Sequence, residues 1–319
     1  MRRRRVAPHS SQVSERFYVA EEQTFEGRDH FRQMYSRMFI EDVTVGLMPI
    51  GGRSERRQFG ACLLPRGQAA ERMVAEALGR RSHAWDLGPG LCDFVHDCGQ
   101  IVMAYGRAVY EIVYLSEAAG TAPSAFRFES IHSGTVVRVG NGFVQRVPTS
   151  VAEAEGVPEE LPLPSDRLLI FEPKVYADRK VRRVLELLGI LGAQLIPDFV
   201  FEERMQGPFD FSVYRRSQKE AVAAATQAVG WNARGLLTDD LLEHYWMQRH
   251  LMFEEFKMQL RDEILVSLGE GLERVGRVMG FSAQLEVSGL PTAADVAIAR
   301  TALMEGKGSF KDIVRPVTL

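Results

Sequence analysis

Three residues close together in the chain, Cys92, His96 and Cys98, are of types that bind metals or perform nucleophilic chemistry. On a helix, Cys92 and His96 fall on one face at four-residue spacing, as two ligands of a tetrahedral site would. Cys98 then points elsewhere, and the sequence offers no second cluster to complete the ligand set. A Cys–His nucleophile pair needs a third group to orient the base, and spacing fixes none. The plainer reading is a helix with two small buried thiols and a satisfied histidine. His244 and His250 stand six residues apart, off a common helix face, and H-E-x-x-H does not occur. Neither phosphate-binding glycine pattern occurs, nor does G-x-S-x-G. Glu254-Glu255 sit among charges of both signs and read as a solvated helix face. These patterns predict no catalytic residue, no metal and no cofactor.

Two features ask for more. Glu111 lies inside "AVYEIVYL", flanked by apolar and aromatic residues. Strand alternation would turn it toward solvent or a neighbouring loop; a subunit interface, where an ion pair could fix register, is the second explanation. In "VYRRSQK", Arg215, Arg216 and Lys219 gather where an alanine-rich helix is expected to start. Cations there oppose the helix dipole, so they either stay solvated, pair with acids on a neighbour, or face phosphates.

The elements that must position these residues follow from pattern. From Asp29, apolar residues Phe31, Met34, Tyr35, Met38 and Phe39 keep helical spacing, with Asp29 as cap. "QAAERMVAEALGRR" is a short helix stopped near Gly79. After a loop through "LGPG", a helix from about Leu91 to Tyr105 ends at Gly106, where glycine reaches the left-handed cap conformation cheaply. A strand follows. Asn141-Gly142 between β-rich runs predicts a tight hairpin, with Val137, Val139, Phe143 and Val147 among its strand positions. "PTSVAEAEGVPEELPLPSD" reads as a link and "RLLIFEP" as a short strand. The chain then turns helical. A helix over 180–205 is interrupted at Pro197, a compact loop follows, and Ser217 with Glu220 forms a capping box for a helix over 217–229. After an extended break in "GWNARGLLTDD", a long helical tract is weakened at Gly269 and Gly271. "FSAQLEVSG" is a strand, and Thr292 with Asp295 caps a last helix.

Hydrophobic content of 45% and charged content of 25% are ordinary for a globular chain of 319 residues. A net charge of −3 argues against holding nucleic acid by bulk attraction. Three cysteines are too few for a disulfide framework. "MRRRR" is not followed by an apolar run, so it reads as a flexible arm rather than a signal segment. The most apolar stretch, "VLELLGILGAQLIPDFVF", holds Glu186, Pro197 and Asp198 and reads as a packed helix, with no membrane span.

Taken in order, these segments resemble the portal proteins of tailed bacteriophages. "FVHDCGQIVMAYGRAVYEIVYL" is similar to the portal wing element, in which a helix ends at an aromatic-Gly pair and turns into a strand bearing a glutamate, here Glu111. "YSRMFIEDVTVGLMPI" resembles the early portal helix, "FRFESIHSGTVVRVGNGFVQRV" the strand and hairpin after the wing joint, and "LPSDRLLIFEP" the strand leading into the stem. Residues 180–205, 206–216 and 217–229 resemble stem, clip and returning stem. "GFSAQLEVSGLPTAADVAIARTALMEG" resembles the terminal strand-and-helix unit. The chain is short for the family, which leaves open a standard tailed-phage portal or a reduced relative, for example from a gene-transfer particle.

The resemblance implies an α+β, portal-like fold: a flexible arm over 1–27, a wing-like α+β domain over 28–178, stem helices over 179–230 with a small clip at 206–216, and a C-terminal helical region with a strand over 231–319. It implies a homo-oligomeric ring, expected as a dodecamer, at one capsid vertex of a virion assembled in the host cytoplasm. Double-stranded DNA would pass through its lumen during packaging and ejection. The terminase large subunit, capsid protein and a head–tail adaptor would dock on it, and the chain would have no enzymatic activity of its own. Arg215, Arg216 and Lys219 become candidate DNA or partner contacts, and Glu111 a candidate subunit contact. Alternatives are a soluble α+β enzyme without a recognisable motif, or a self-assembling structural or adaptor protein unrelated to DNA.

Overall fold

A computed structural model of the chain describes residues 4–5, 34–49, 59–79, 86–116, 122–156, 158–174, 179–193, 211–235 and 242–318. It mixes helix and sheet, the α+β class expected. The strands are β1 (Arg4–Arg5), β2 (Gly60–Leu64), β3 (Ala108–Ser116), β4 (Ala125–Ile131), β5 (Val136–Val139), β6 (Gly142–Arg146), β7 (Glu160–Leu163), β8 (Leu168–Phe171) and β9 (Gln284–Ser288). The longer helices are α1 (Met34–Val45), α2 (Gln68–Leu78), α3 (Leu87–Tyr105), α4 (Thr149–Glu155), α5 (Lys180–Ala193), α6 (Phe211–Ala225), α7 (Glu243–Met279), α8 (Ala293–Met304) and α9 (Phe310–Val314).

The chain divides into two compact units, neither contiguous in sequence. One comprises Met1–Phe25, Met48–Pro173 and Asp262–Leu290; the other Glu26–Leu47, Lys174–Arg261 and Pro291–Leu319. One break falls at Pro173. Residues 262–290 join the first unit, where β9 pairs with β2 in full register, Gly60 opposite Ser288. Apart from Arg4–Arg5, which pair with Ser116 and Leu115 of β3, the arm over 1–27 and the Asp29 cap lie outside the described residues.

In the first unit β3 is central, antiparallel to β4 along its length and to β8 over Ala108–Glu111. It is buried at every position except the half-buried Leu115. On one face Tyr110 meets Phe94 of α3 at 5.0 Å and Phe171 of β8 at 5.7 Å between ring centroids. On the other, Val109 joins a cluster of Ile131, Val136, Leu163 and Leu168. A strand covered on both faces has no reason to alternate, which explains the unbroken apolar run around Glu111. A smaller antiparallel sheet, β5-β6-β7, supplies Val136 and Leu163 to that second cluster.

In the second unit Ser36 of α1 donates to the Leu185 carbonyl of α5 at 3.3 Å. Phe39 is fully buried against Trp231, Phe253 and Phe256. The start of α7 forms a second core with α8 and α9 through Met247, Leu251, Val296, Leu303, Ile313 and Val317. The Thr292–Asp295 capping box of α8 forms as expected, and Ser309–Asp312 makes another before α9, a helix the pattern missed.

Several expectations need correction. "LGPG" is the first turn of α3, not a loop: Asp86 accepts from the Gly88 N–H, and Pro89 sits where a helix lacks N–H partners anyway. The hairpin turn falls one residue early, on Gly140-Asn141, with Val139 opposite Gly142 and positive φ at Gly140 (58°). The stretch read as a link contains α4 and β7. Ser217 lies inside α6, not at its cap, because "FSVYRRSQK" continues the helix toward Phe211; residues 211–216 of the expected clip are therefore helical. The rest of the clip and the Pro197 interruption lie outside the described residues. The tract "weakened" at Gly269 and Gly271 is one helix of 37 residues, and Gly271 has a packing reason: a Cβ there would lie 2.8 Å from Leu169 Cδ1.

Candidate functional site

The joint between α3 and β3 forms as the sequence predicts. Gly106 takes φ 81° and ψ −9°, and its N–H donates to the Val102 carbonyl at 2.7 Å. The next residue, Arg107, donates to the carbonyls of Ser133 and Val136 and lies 3.5 Å from Glu172, so the start of β3 is tied to the turn before β5. Glu111, five residues past the joint, is 0% exposed. It stands opposite Glu129 on β4 and Leu168 on β8. The expectation that it turns to solvent gives way, since its side chain is enclosed within the chain. The reason is topological, since β3 has strands on both sides and packing on both faces. Glu129 itself is ion-paired with Arg127 two residues before it.

Arg215 and Arg216 are exposed and Lys219 is half-buried, all on α6 and away from its first residue. The structure brings other cations near the same helix. A cleft between α5 and α6 is lined by Arg179 to Leu187 on one side and Ala224 to Ala228 on the other. The start of α5 therefore lies beside the end of α6, and the two run antiparallel. Cations at the start of α5 oppose its own dipole by about 0.3–1 kcal/mol each when exposed. Glu186 partly offsets this, holding Arg182 at 3.2 Å and Arg183 at 3.7 Å. Segments 179–193 and 211–230 together hold seven cations and two carboxylates, a net of +5. With a total of −3, the rest of the chain carries −8. The near-neutral total conceals a basic helix pair.

Cys92, His96 and Cys98 do lie on one helix, but they form no centre. Cys92 and Cys98 are buried, and burial pushes the Cys98 thiol well above its usual range, away from the reactive thiolate. His96 Nε2 pairs with Gln100 Nε2 at 3.0 Å. Among the described residues no group of three or more His, Cys, Asp or Glu is placed to hold a metal ion, and no helix is long and apolar enough to cross a membrane.

Sequence reasoning missed three polar clusters in the second unit. Arg249, 2% exposed, donates to Thr226 Oγ1 and the Trp231 carbonyl at 2.7 Å each, to Asn232 Oδ1 at 3.0 Å and to the Ala223 carbonyl at 3.2 Å. It thereby fastens the end of α6 to α7. Arg234 donates to Asp42 at 2.7 Å and Glu41 at 2.9 Å, while the Trp231 indole donates to Asp42 at 2.9 Å. The Arg234 hydrogen bond holds the Glu41 carboxyl below its usual range. These bonds hold Ala233 and Arg234 at φ 49° and 54°, a conformation such residues rarely adopt unaided. Third, Glu254 is 3% exposed and pairs with Lys257 at 2.8 Å, which corrects its reading as a solvated acid. Burial raises the Glu254 pKa even so. His250 stacks on Trp246 at 5.3 Å and meets Thr318 Oγ1 at 3.2 Å. Burial, and secondarily Lys257, lowers its pKa to about 4, so it is neutral at pH 7. Only the helical pattern of α7 was legible here; nothing in "WMQRHLMFEEFK" distinguishes a buried Arg or Glu from an exposed one.

No protein-family profile matches the chain, and no curated protein matches it. Among solved structures, the chain is similar to one in a structure described as the virion of a native gene transfer agent (GTA) particle. The similarity covers 98% of this chain and 94% of that one, at 13% sequence identity and a TM-score of 0.45.

Proposed function

We propose that this chain is a reduced portal subunit: copies close into a ring, expected as a dodecamer, at a capsid vertex, and double-stranded DNA passes through the ring. The observation that carries the reading is the order of elements around the α3–Gly106–β3 joint. A helix ends on a left-handed glycine, a central strand bearing Glu111 follows, then β4, the β5–β6 hairpin and β8, and the chain next enters the antiparallel pair α5–α6. That is the order in which the sequence resembles wing, hairpin and stem. In this reading α5 and α6 form the tube wall; their described lengths of 14 and 15 residues correspond to about 20 Å each. Terminase large subunit, capsid protein and a head–tail adaptor are the docking partners. The role is structural, a passage and a platform, with the motor supplied by another chain. Arg215 and Arg216 remain DNA or partner contacts, with Lys219 beside them. Glu111 becomes an internal residue of the wing sheet rather than an interface residue.

The test is direct. Purified full-length protein, measured by light scattering at high concentration and imaged in negative stain, is expected as rings with an axial hole. A strictly monomeric species, or closed particles without a hole, overturns the proposal.

A further inference from the structure

The helix pair carries a net charge of +5, and the cleft between its helices has a shape that suits an acidic partner. Arg179, Lys180 and Arg183, all exposed, rim the cleft between α5 and α6, which has a volume of about 510 Å³. Its floor is apolar, formed by Val184, Leu187 and Ala224. A phosphodiester backbone has nothing to lay on such a floor. A peptide with carboxylates set among aliphatic residues fits both floor and rim.

The chain itself contains such a peptide. Between Arg146 and Arg167 there is no lysine or arginine, while Glu153, Glu155, Glu159 and Glu160 punctuate Val151, Ala152, Ala154, Val157 and Leu161. Its described parts are α4 and β7, where Glu153, Glu159 and Glu160 are exposed and Leu161 is half-buried beside them, while Ala152 is buried within its own unit. Arg146 reaches Glu160 at 3.3 Å, and both are open to solvent. The acidic segment belongs to the first unit and the basic cleft to the second.

We infer that the Arg179–Arg183 cleft of one copy receives the acidic α4–β7 segment of the next copy. Ring closure requires a head-to-tail interface between two different patches, and these are two different patches of opposite charge. The inference rests on the proposed ring; it specifies which surfaces close it.

Two full-length variants test it. One carries Arg179→Glu, Lys180→Glu and Arg183→Glu; the other carries Glu153→Lys, Glu159→Lys and Glu160→Lys. Every substituted residue is exposed, and circular dichroism checks that each variant folds. Each alone is expected to need a protein concentration roughly tenfold higher or more to form rings. An equimolar mixture should restore rings at wild-type concentration, because each reversed surface then meets its complement. High salt should dissociate wild-type rings. Rings at wild-type concentration from either folded variant overturn the contact and leave the ring standing, as does a mixture that fails to rescue. A wild-type chain that never assembles overturns both. A cleft variant that still forms rings but no longer shifts a DNA duplex assigns the cleft to nucleic acid and overturns the contact.

Discussion

Gly230, at the turn where α6 gives way to Trp231, tests how tightly the end of the helix pair is fastened to α7. Its φ is 74°, and a Cβ placed there would lie 2.7 Å from Met252 Cβ, 3.0 Å from the Arg249 carbonyl carbon and closer still to the Arg249 oxygen. Carbon atoms normally rest at about 3.5–4.0 Å, so Gly230→Ala overlaps a helix backbone by roughly 1 Å. Two costs add. The left-handed conformation costs an alanine roughly 1–2 kcal/mol. Forcing α7 outward costs roughly 1–3 kcal/mol more as overpacking. The same displacement lengthens the 2.7 Å bonds from Arg249 to Thr226 and Trp231, and hydrogen bonds to a charged group contribute about 1.5–3 kcal/mol each. A loss of about 3–5 kcal/mol is expected, a large share of a typical stability of about 5–15 kcal/mol. Urea unfolding followed by tryptophan fluorescence measures it, since Trp231 is buried beside the turn. Gly269→Ala is the control. Nothing lies within 4 Å of a Cβ there, so the helix propensity of alanine should stabilise by up to about 1 kcal/mol. A Gly230→Ala loss below about 1 kcal/mol would refute the packing described for this turn.

Two further outcomes follow from the same structure. His250 has an unfolded pKa near 6.5 and a folded one of about 4, so the unfolded chain binds the extra proton and stability falls as pH drops between those values. The shift corresponds to about 3 kcal/mol. Glu254 and Lys257 face the same site, and the raised Glu254 pKa acts in the opposite direction as pH falls. The clean measurement is therefore the difference between wild type and His250→Gln, which should shift by about 2–3 kcal/mol against wild type from pH 7.5 to 4.5; parallel pH profiles would refute it. Gly106→Ala should destabilise by about 1–2 kcal/mol, with Gly106→Asn milder because asparagine tolerates this conformation better, as read by thermal unfolding.

What the sequence made legible was local. A cap glycine, a capping box and a strand rich in aromatic and β-branched residues depend on neighbours a few positions away, so Gly106, Thr292–Asp295 and β3 were readable. The hairpin was readable too, but its turn was placed one residue late, because Gly140 supplies the positive φ that Asn141-Gly142 would also have provided. What failed depends on distant contacts. Glu111 looked like an outward position only if β3 were covered on one face; the β5–β7 sheet covers it on the other, and β8 closes its edge. β2 was invisible because its partner, β9, lies more than 200 residues away. Arg249 and Glu254 are buried because Thr226, Trp231, Asn232 and Lys257 meet them, and no short window contains all of those residues.

The charge distribution was hidden for a related reason. A total of −3 is a sum over the whole chain, and the sum hides a helix pair of +5 against a remainder of −8. For a conduit this distribution poses a physical difficulty. Each phosphate neutralised by a wall cation releases counterions and favours static binding, which would slow a sliding duplex. A basic tube wall and free passage of DNA are compatible if the cations at one end of the pair are engaged by carboxylates of the adjacent copy. The Arg179–Arg183 cleft and the α4–β7 segment offer that arrangement. In the proposed ring, where Arg179, Lys180 and Arg183 are engaged between copies, Arg215, Arg216 and Lys219 are the α6 cations assigned to DNA or a docked partner. The two sets of cations then separate by function: reversing the first set should change assembly, and reversing the second should change the response to DNA while leaving the ring closed.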